Sequence, residues 1–242
     1  MKPCPLNTVL LCVALALADT ALAAGTHTTY SAAFILLAGL AFGQLTLLAA
    51  WTTAGSGPWL VRLLTSLLVA SGLAHLLAPA TAASWSSWTA ALVAYWLTAS
   101  LGIWLITKSE RSSRQKSRLR PLQYSLGSLI SVITVMSVAL GMAHWVSISV
   151  PQLTSFAPVG IWMLVVGTCT LHGALTSRVA WMIVPLGAAV TAGALLSRTT
   201  GLYDTGFFSL LCLVEVVTIS VGMLAVQPSH AAVHSVDSAT SA

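Results

Sequence analysis

The chain has 242 residues, of which 57% are hydrophobic and only 6% are charged, and its mean hydropathy is +0.91. A water-soluble domain carries about a quarter charged residues, so this composition excludes a solvated globular protein. The formal net charge of +5 would suit nucleic-acid binding, but most basic residues lie in one short segment between apolar runs. That distribution is instead an orientation signal of membrane proteins.

Long, unbroken apolar runs define the fold class. Several of them reach the ~20 residues that a helix needs to cross a hydrocarbon core of ~30 Å. Backbone polar groups in lipid must be satisfied within the chain, which leaves helices or a closed barrel, and unbroken runs favour helices over alternating strands. The sequence therefore predicts an all-α, polytopic transmembrane helical bundle.

The amino-terminal segment, residues 1–24, has two interpretations. Its apolar run at 6–18 follows Lys2, is interrupted by Asp19 and leads to Ala21-Leu22-Ala23. A basic start, a short apolar run and an A-x-A pattern are the layout of a secretory signal peptide, so we expect cleavage after this pattern. The alternative is an uncleaved first helix.

Seven stronger candidate spans follow, and we expect them to form one bundle over residues 25–226. Their predicted ranges are 29–51, 59–79, 85–107, 122–147, 157–176, 179–197 and 206–226. Short connections predict that successive helices pack as antiparallel neighbours. The polar residues 227–242 are expected to form a disordered cytoplasmic tail.

The segment 108–120 is predicted to be a cytoplasmic loop that sets the orientation. It contains one acid, Glu110, and six basic residues: Lys108, Arg111, Arg114, Lys116, Arg118 and Arg120. With this loop inside, nine of the ten Lys and Arg residues are cytoplasmic and only Arg198 is outside, which places the mature amino terminus outside and the carboxyl terminus inside. The same loop is expected to attract anionic lipid headgroups.

Small residues predict one close helix contact. Gly39-Leu-Ala-Phe-Gly43 matches the GxxxG pattern, which lets two helix backbones approach closely. We expect this pattern to serve packing inside the bundle rather than a dimer interface.

His75 and His144 are the candidate cofactor ligands. Each follows a Gly-x-Ala and precedes a proline, and both predicted helices run outward, so the two imidazoles are expected at a similar depth. Opposed histidines on two helices can ligate a haem iron, so haem b is the candidate cofactor, although no cofactor is favoured. The alternative is a pair of histidines near helix ends that hydrogen-bond to carbonyl groups or interfacial water.

Glu215 is the one acid well inside a predicted span. An intramembrane carboxyl group is costly and is by default a candidate functional site, here for a proton, an ion or a substrate. The alternative is a protonated side chain that donates one structural hydrogen bond. Gln44 is a weaker candidate for the same site, and a helix–helix contact is its alternative role.

One segment resembles a known group of proteins. Residues 120–145, RPLQYSLGSLISVITVMSVALGMAHW, resemble the (F/Y)SL…LL…T…A…LG opening of a helix in uncharacterised bacterial multi-span membrane proteins. Gly127 stands where that pattern has a basic residue. The resemblance implies a bacterial source and carries no specific function.

Motifs that the sequence lacks narrow the range of possible functions. No lysine lies in a predicted span to hold retinal, and the sequence has no Walker A, HExxH or GxSxG motif, so we expect no enzyme. The leading hypothesis is a non-enzymatic scaffold, or a subunit of a membrane complex, in the bacterial inner membrane. The first alternative is a small-solute or proton-coupled transporter that uses Glu215, and the second is a haem-binding electron carrier that uses His75 and His144.

Overall fold

The computed structural model describes residues 5–25, 32–55, 57–81, 83–115, 150–175 and 205–226, together with isolated helical positions between 187 and 198. Within these residues the regular structure is helical throughout, as the apolar runs predict. The helices with defined bounds are α1 (Pro5–Ala24), α2 (Ala32–Ala54), α3 (Trp59–Leu77), a 3-10 turn (Ala78–Ala80), α4 (Trp85–Gln115), α5 (Val150–Leu175) and α6 (Thr205–Val226).

Four helices in the described ranges are long and apolar enough to cross a membrane. They are Ala32–Ala54, Trp59–Ala80, Trp85–Leu105 and Gly206–Leu224, and they coincide within a few residues with the spans predicted at 29–51, 59–79, 85–107 and 206–226. The span predicted at 157–176 lies on α5, which runs from Val150 to Leu175. The span at 122–147 lies outside the described residues, and that at 179–197 is described only at isolated positions. The described part of the chain is thus all-helical and compatible with multi-pass membrane insertion.

Helix α2 lies at the centre of the bundle. It contacts α1, α3, α4, α5 and α6, and its most extensive contact is with α6. Helix α3 is peripheral, because Leu60, Val61, Leu64 and Leu68 on one face are all more than half exposed. Such a contiguous apolar face would be a liability in water, whereas lipid tails solvate it without cost.

Helix α4 continues past the predicted membrane boundary. The segment 108–120 was expected to be a loop from its first residue, but α4 extends to Gln115, so this expectation was wrong for 108–115. Lys, Glu, Arg and Gln are good helix formers. A helix that has already formed can extend into them without a new nucleation step. The 31 residues of α4 measure about 46 Å, more than a hydrocarbon core, so the basic end of the helix has room to project beyond it.

Two glycines of α2 determine its contact with α6. A β-carbon on Gly39 would lie 2.7 Å from Val214 Cβ, and one on Gly43 would lie 2.7 Å from Thr218 Cβ. Neither distance leaves room for a side chain, so the α2 and α6 backbones meet directly, one helical turn apart on each helix. The predicted role of the GxxxG pattern in packing within the bundle is confirmed.

Arg62 closes the turn between α2 and α3. Its Nη1 donates hydrogen bonds to the carbonyl oxygens of Gly55, at 2.7 Å, and Trp51, at 3.1 Å. Gly55 follows the last residue of α2, where no further turn of helix supplies a donor to its carbonyl, whereas the Trp51 carbonyl also accepts from the Gly55 N–H at 2.8 Å. Gly57, with φ of 106°, supplies the left-handed residue that reverses the chain in this turn.

We expect Arg62→Lys to lower the free energy of unfolding by about 1 kcal/mol, because lysine keeps the charge but lacks the planar guanidinium that reaches both carbonyls. Thermal unfolding in mild detergent measures the effect, with Arg198→Lys at an exposed position as the control. Equal stabilities for the two variants would show that the Arg62 contacts contribute nothing beyond charge.

Candidate functional site

The candidate site is centred on Glu215, near the middle of α6. The side chain is completely buried, with an exposed fraction of 0%, and it lies where α2, α4 and α5 converge on α6. The sequence placed this acid inside a span but gave no indication of its neighbours.

Two hydroxyl groups from other helices meet the carboxyl group. Tyr95 on α4 donates its hydroxyl hydrogen to Glu215 Oε1 at 2.7 Å. Thr46 on α2 lies 2.9 Å from the Tyr95 hydroxyl oxygen and 3.5 Å from Oε1. The three side chains therefore form one buried polar cluster that joins α2, α4 and α6.

Close packing fixes the position of this cluster. A β-carbon on Gly167 of α5 would lie 2.6 Å from Glu215 Oε1 and 2.9 Å from Thr46 Oγ1, so only glycine leaves room for these oxygens. On the other side, the rings of Phe42 and Tyr95 pack edge to face with centroids 4.8 Å apart. The phenol is thus directed at the carboxyl group by an aromatic contact as well as by its hydrogen bond.

A count of protons shows where the cluster is incomplete. Tyr95 gives its one hydroxyl hydrogen to Oε1. Thr46 also has only one hydroxyl hydrogen, which it can donate to Tyr95, to Oε1 or to the carbonyl oxygen of Phe42, 3.1 Å away. Glu215 Oε2 is buried and has no hydrogen-bond partner among the described residues. The hydrogen bonds that the described residues make to this carboxyl group are therefore at Oε1 and not at Oε2.

The chemistry of this cluster is that of three oxygen-bearing side chains. A carboxyl, a phenol and a threonine hydroxyl can exchange a proton or supply oxygen ligands. Cys212, one turn before Glu215, contacts Met163 of α5 at 3.7 Å between sulfur atoms and lies in an apolar setting.

Gln44 does not join Glu215. Its side-chain amide donates to Asp19 Oδ2 of α1 at 2.7 Å, and both side chains are buried. The weaker candidate from the sequence is thus half of a second buried polar contact, between α1 and α2. Asp19 Oδ1, like Glu215 Oε2, is buried without a partner in the described part of the chain.

The predicted haem ligands are not brought together in the described residues. His75 lies on an exposed position of α3, and His144 lies outside the described residues. No group of three or more His, Cys, Asp or Glu side chains that could hold a metal occurs among the residues searched, which are the described ones. The haem hypothesis therefore stays a prediction.

Sequence reasoning missed Thr46, Tyr95, Gly167 and the role of Asp19. Thr46 and Tyr95 are polar groups inside spans and carry the same signal as Glu215, but more weakly, because hydroxyls are tolerated in transmembrane helices. Asp19 was taken only as an interruption of the first apolar run. Gly167 had no signal that distinguishes it from the other glycines of the chain.

Comparisons with known proteins leave the site to be judged on its own geometry. No protein-family model, no curated protein and no solved structure matches the chain.

Proposed function

We propose that the protein is a non-enzymatic multi-span membrane protein that moves protons, coupled to a small solute, and that Glu215 is its proton-binding group. The observation that carries this proposal is the completely buried carboxyl group where four helices meet, with Oε2 unpartnered within the described residues. The Tyr95 hydroxyl donates to the other oxygen, Oε1, with the Thr46 hydroxyl beside it, and this leaves Oε2 as the side that would exchange a proton.

A glutamate rather than a glutamine at position 215 supports a functional role for this side chain over a purely structural one. A glutamine at this position would accept the Tyr95 hydrogen bond equally well and would never carry a charge into the bilayer. A carboxyl group adds one capability, the reversible gain and loss of a proton. It also adds the free-energy cost of an ionisable group inside the bilayer, which a purely structural role would not require. Proton-coupled transporters use intramembrane carboxyl groups for this purpose.

The test is proton movement in liposomes that contain a trapped pH-sensitive dye. A potassium diffusion potential drives protons inward, with and without a panel of amino acids, sugars and organic anions outside. We expect proton entry through the wild-type protein and a loss of at least about tenfold with Glu215→Gln. The control is Thr170→Val, because the Thr170 hydroxyl is buried but donates to the Val166 carbonyl of its own helix.

Folded wild-type protein that admits no protons with any solute would contradict the proposal. So would undiminished proton entry in Glu215→Gln. Infrared difference spectra over a pH series add a readout that needs no solute, since the variant should lose one carbonyl band of a protonated carboxylic acid that the wild type shows, the band of Glu215.

A scaffold, or a subunit of a membrane complex, is the second candidate. The exposed apolar face of α3, on which Leu68 is 73% exposed, would suit a helix of another membrane protein as well as lipid. Stoichiometric copurification of a partner in mild detergent, lost when Leu64 and Leu68 are replaced by alanine, would favour this role. For either function we propose the bacterial inner membrane, with the carboxyl terminus in the cytoplasm.

A further inference from the structure

Helix α1 is built into the bundle. It contacts α2, α3 and α6, and Leu22 and Ala23 pack against the hydrophobic core. The opposite side of the helix exposes Val9, Leu10, Val13 and Leu17, all more than half accessible. One packed face and one exposed apolar face are what a peripheral helix of a membrane bundle shows.

The contact between α1 and α2 is polar and specific. Gln44 Nε2 donates to Asp19 Oδ2 at 2.7 Å, and both side chains are buried. Without α1, the Gln44 amide would lose its acceptor in the interior of the bundle, and an unpaired buried amide is costly in an apolar medium. The pairing also explains why an acid stands at position 19 of an apolar segment.

We propose that α1 stays in the finished protein as its first helix, held to α2 by the Asp19–Gln44 hydrogen bond, and is not removed after targeting. Within the A-x-A pattern at 21–23, Leu22 and Ala23 then lie against the core, whereas Ala21 is exposed. Pro5–Ala24 measures about 30 Å as a helix, enough to reach across the hydrocarbon core. A retained α1 that begins on the cytoplasmic side would agree with the charge bias of the chain.

The first test is the intact mass of the wild-type protein, purified from membranes through a carboxyl-terminal tag. We expect the mass of the full 242-residue chain, 25.1 kDa plus the tag. A chain that begins at Ala24 would overturn the proposal.

The second test is a double-mutant cycle on thermal unfolding in detergent, with Asp19→Leu, Gln44→Leu and the combined variant. Each single change leaves one buried polar partner unsatisfied, whereas the double change removes both, so we expect the double variant to unfold at a higher temperature than either single variant. Additive shifts would show that the pair does not hold α1, and no effect of Asp19→Leu would show that α1 is absent. Neither test depends on proton movement, so the proposed function and this inference can fail separately.

Discussion

Gly39→Val is expected to lower the free energy of unfolding by about 3 kcal/mol, because the α2 and α6 backbones meet at this residue with no room for a side chain. The first carbon of any side chain would lie 2.7 Å from Val214 Cβ and 2.9 Å from the Leu211 carbonyl oxygen. Backbone cannot give way as a flexible side chain does, so the helices would have to separate. Little hydrophobic driving force acts between helices in lipid, so close packing of this kind is a main source of stability there.

Gly72→Val is the matched control, since Gly72 lies in the exposed helix α3 and a β-carbon there would meet no described atom within 4 Å. Valine has a higher intrinsic helix propensity than glycine, so this variant should unfold at the wild-type temperature or slightly above it. Thermal unfolding in the same detergent measures the difference in unfolding temperature between the two variants. Equal unfolding temperatures for Gly39→Val and Gly72→Val would mean that the α2–α6 contact is looser than described.

The sequence predicts the described spans well, because the length of an apolar run is set by the thickness of a bilayer. Trp59 and Trp85 were predicted as the first residues of two spans, and α3 and α4 begin at them. The end of α4 was missed, because the Lys, Glu, Arg and Gln residues that leave the membrane are also good helix formers.

The lateral arrangement of the helices was not predictable in the same way. Gly39 and Gly43 indicate that α2 has a close neighbour, but nothing in their spacing identifies α6 as that neighbour. The cost of a buried acid singles out Glu215, yet its partners Tyr95 and Thr46 lie 120 and 169 residues earlier in the chain. Hydropathy predicts the depth of each helix in the membrane but not which helices are neighbours. The sequence therefore identifies Glu215 as the centre of the site but not the side chains around it.

Gly167→Ala is expected to reduce proton entry by at least about tenfold, although it changes no polar atom of the candidate site. Its added methyl group would occupy the space 2.6 Å from Glu215 Oε1, 2.9 Å from Thr46 Oγ1 and 3.2 Å from the Tyr95 hydroxyl oxygen. The carboxyl group must move away, and it then loses the alignment with the Tyr95 hydroxyl that leaves Oε2 free to exchange a proton. Liposome flux and the infrared carboxyl band should therefore both change.

Gly160→Ala tests the same chemical change two turns earlier on α5, where a β-carbon would meet no described atom within 4 Å. We expect this variant to keep the wild-type flux and carboxyl band. A structural role for the cluster would give a different pattern, in which Gly167→Ala lowers the unfolding temperature but leaves proton entry unchanged. That outcome would separate the packing of Glu215 from its proposed function, because the carboxyl group would then be needed for assembly of α2, α4, α5 and α6 and not for moving protons.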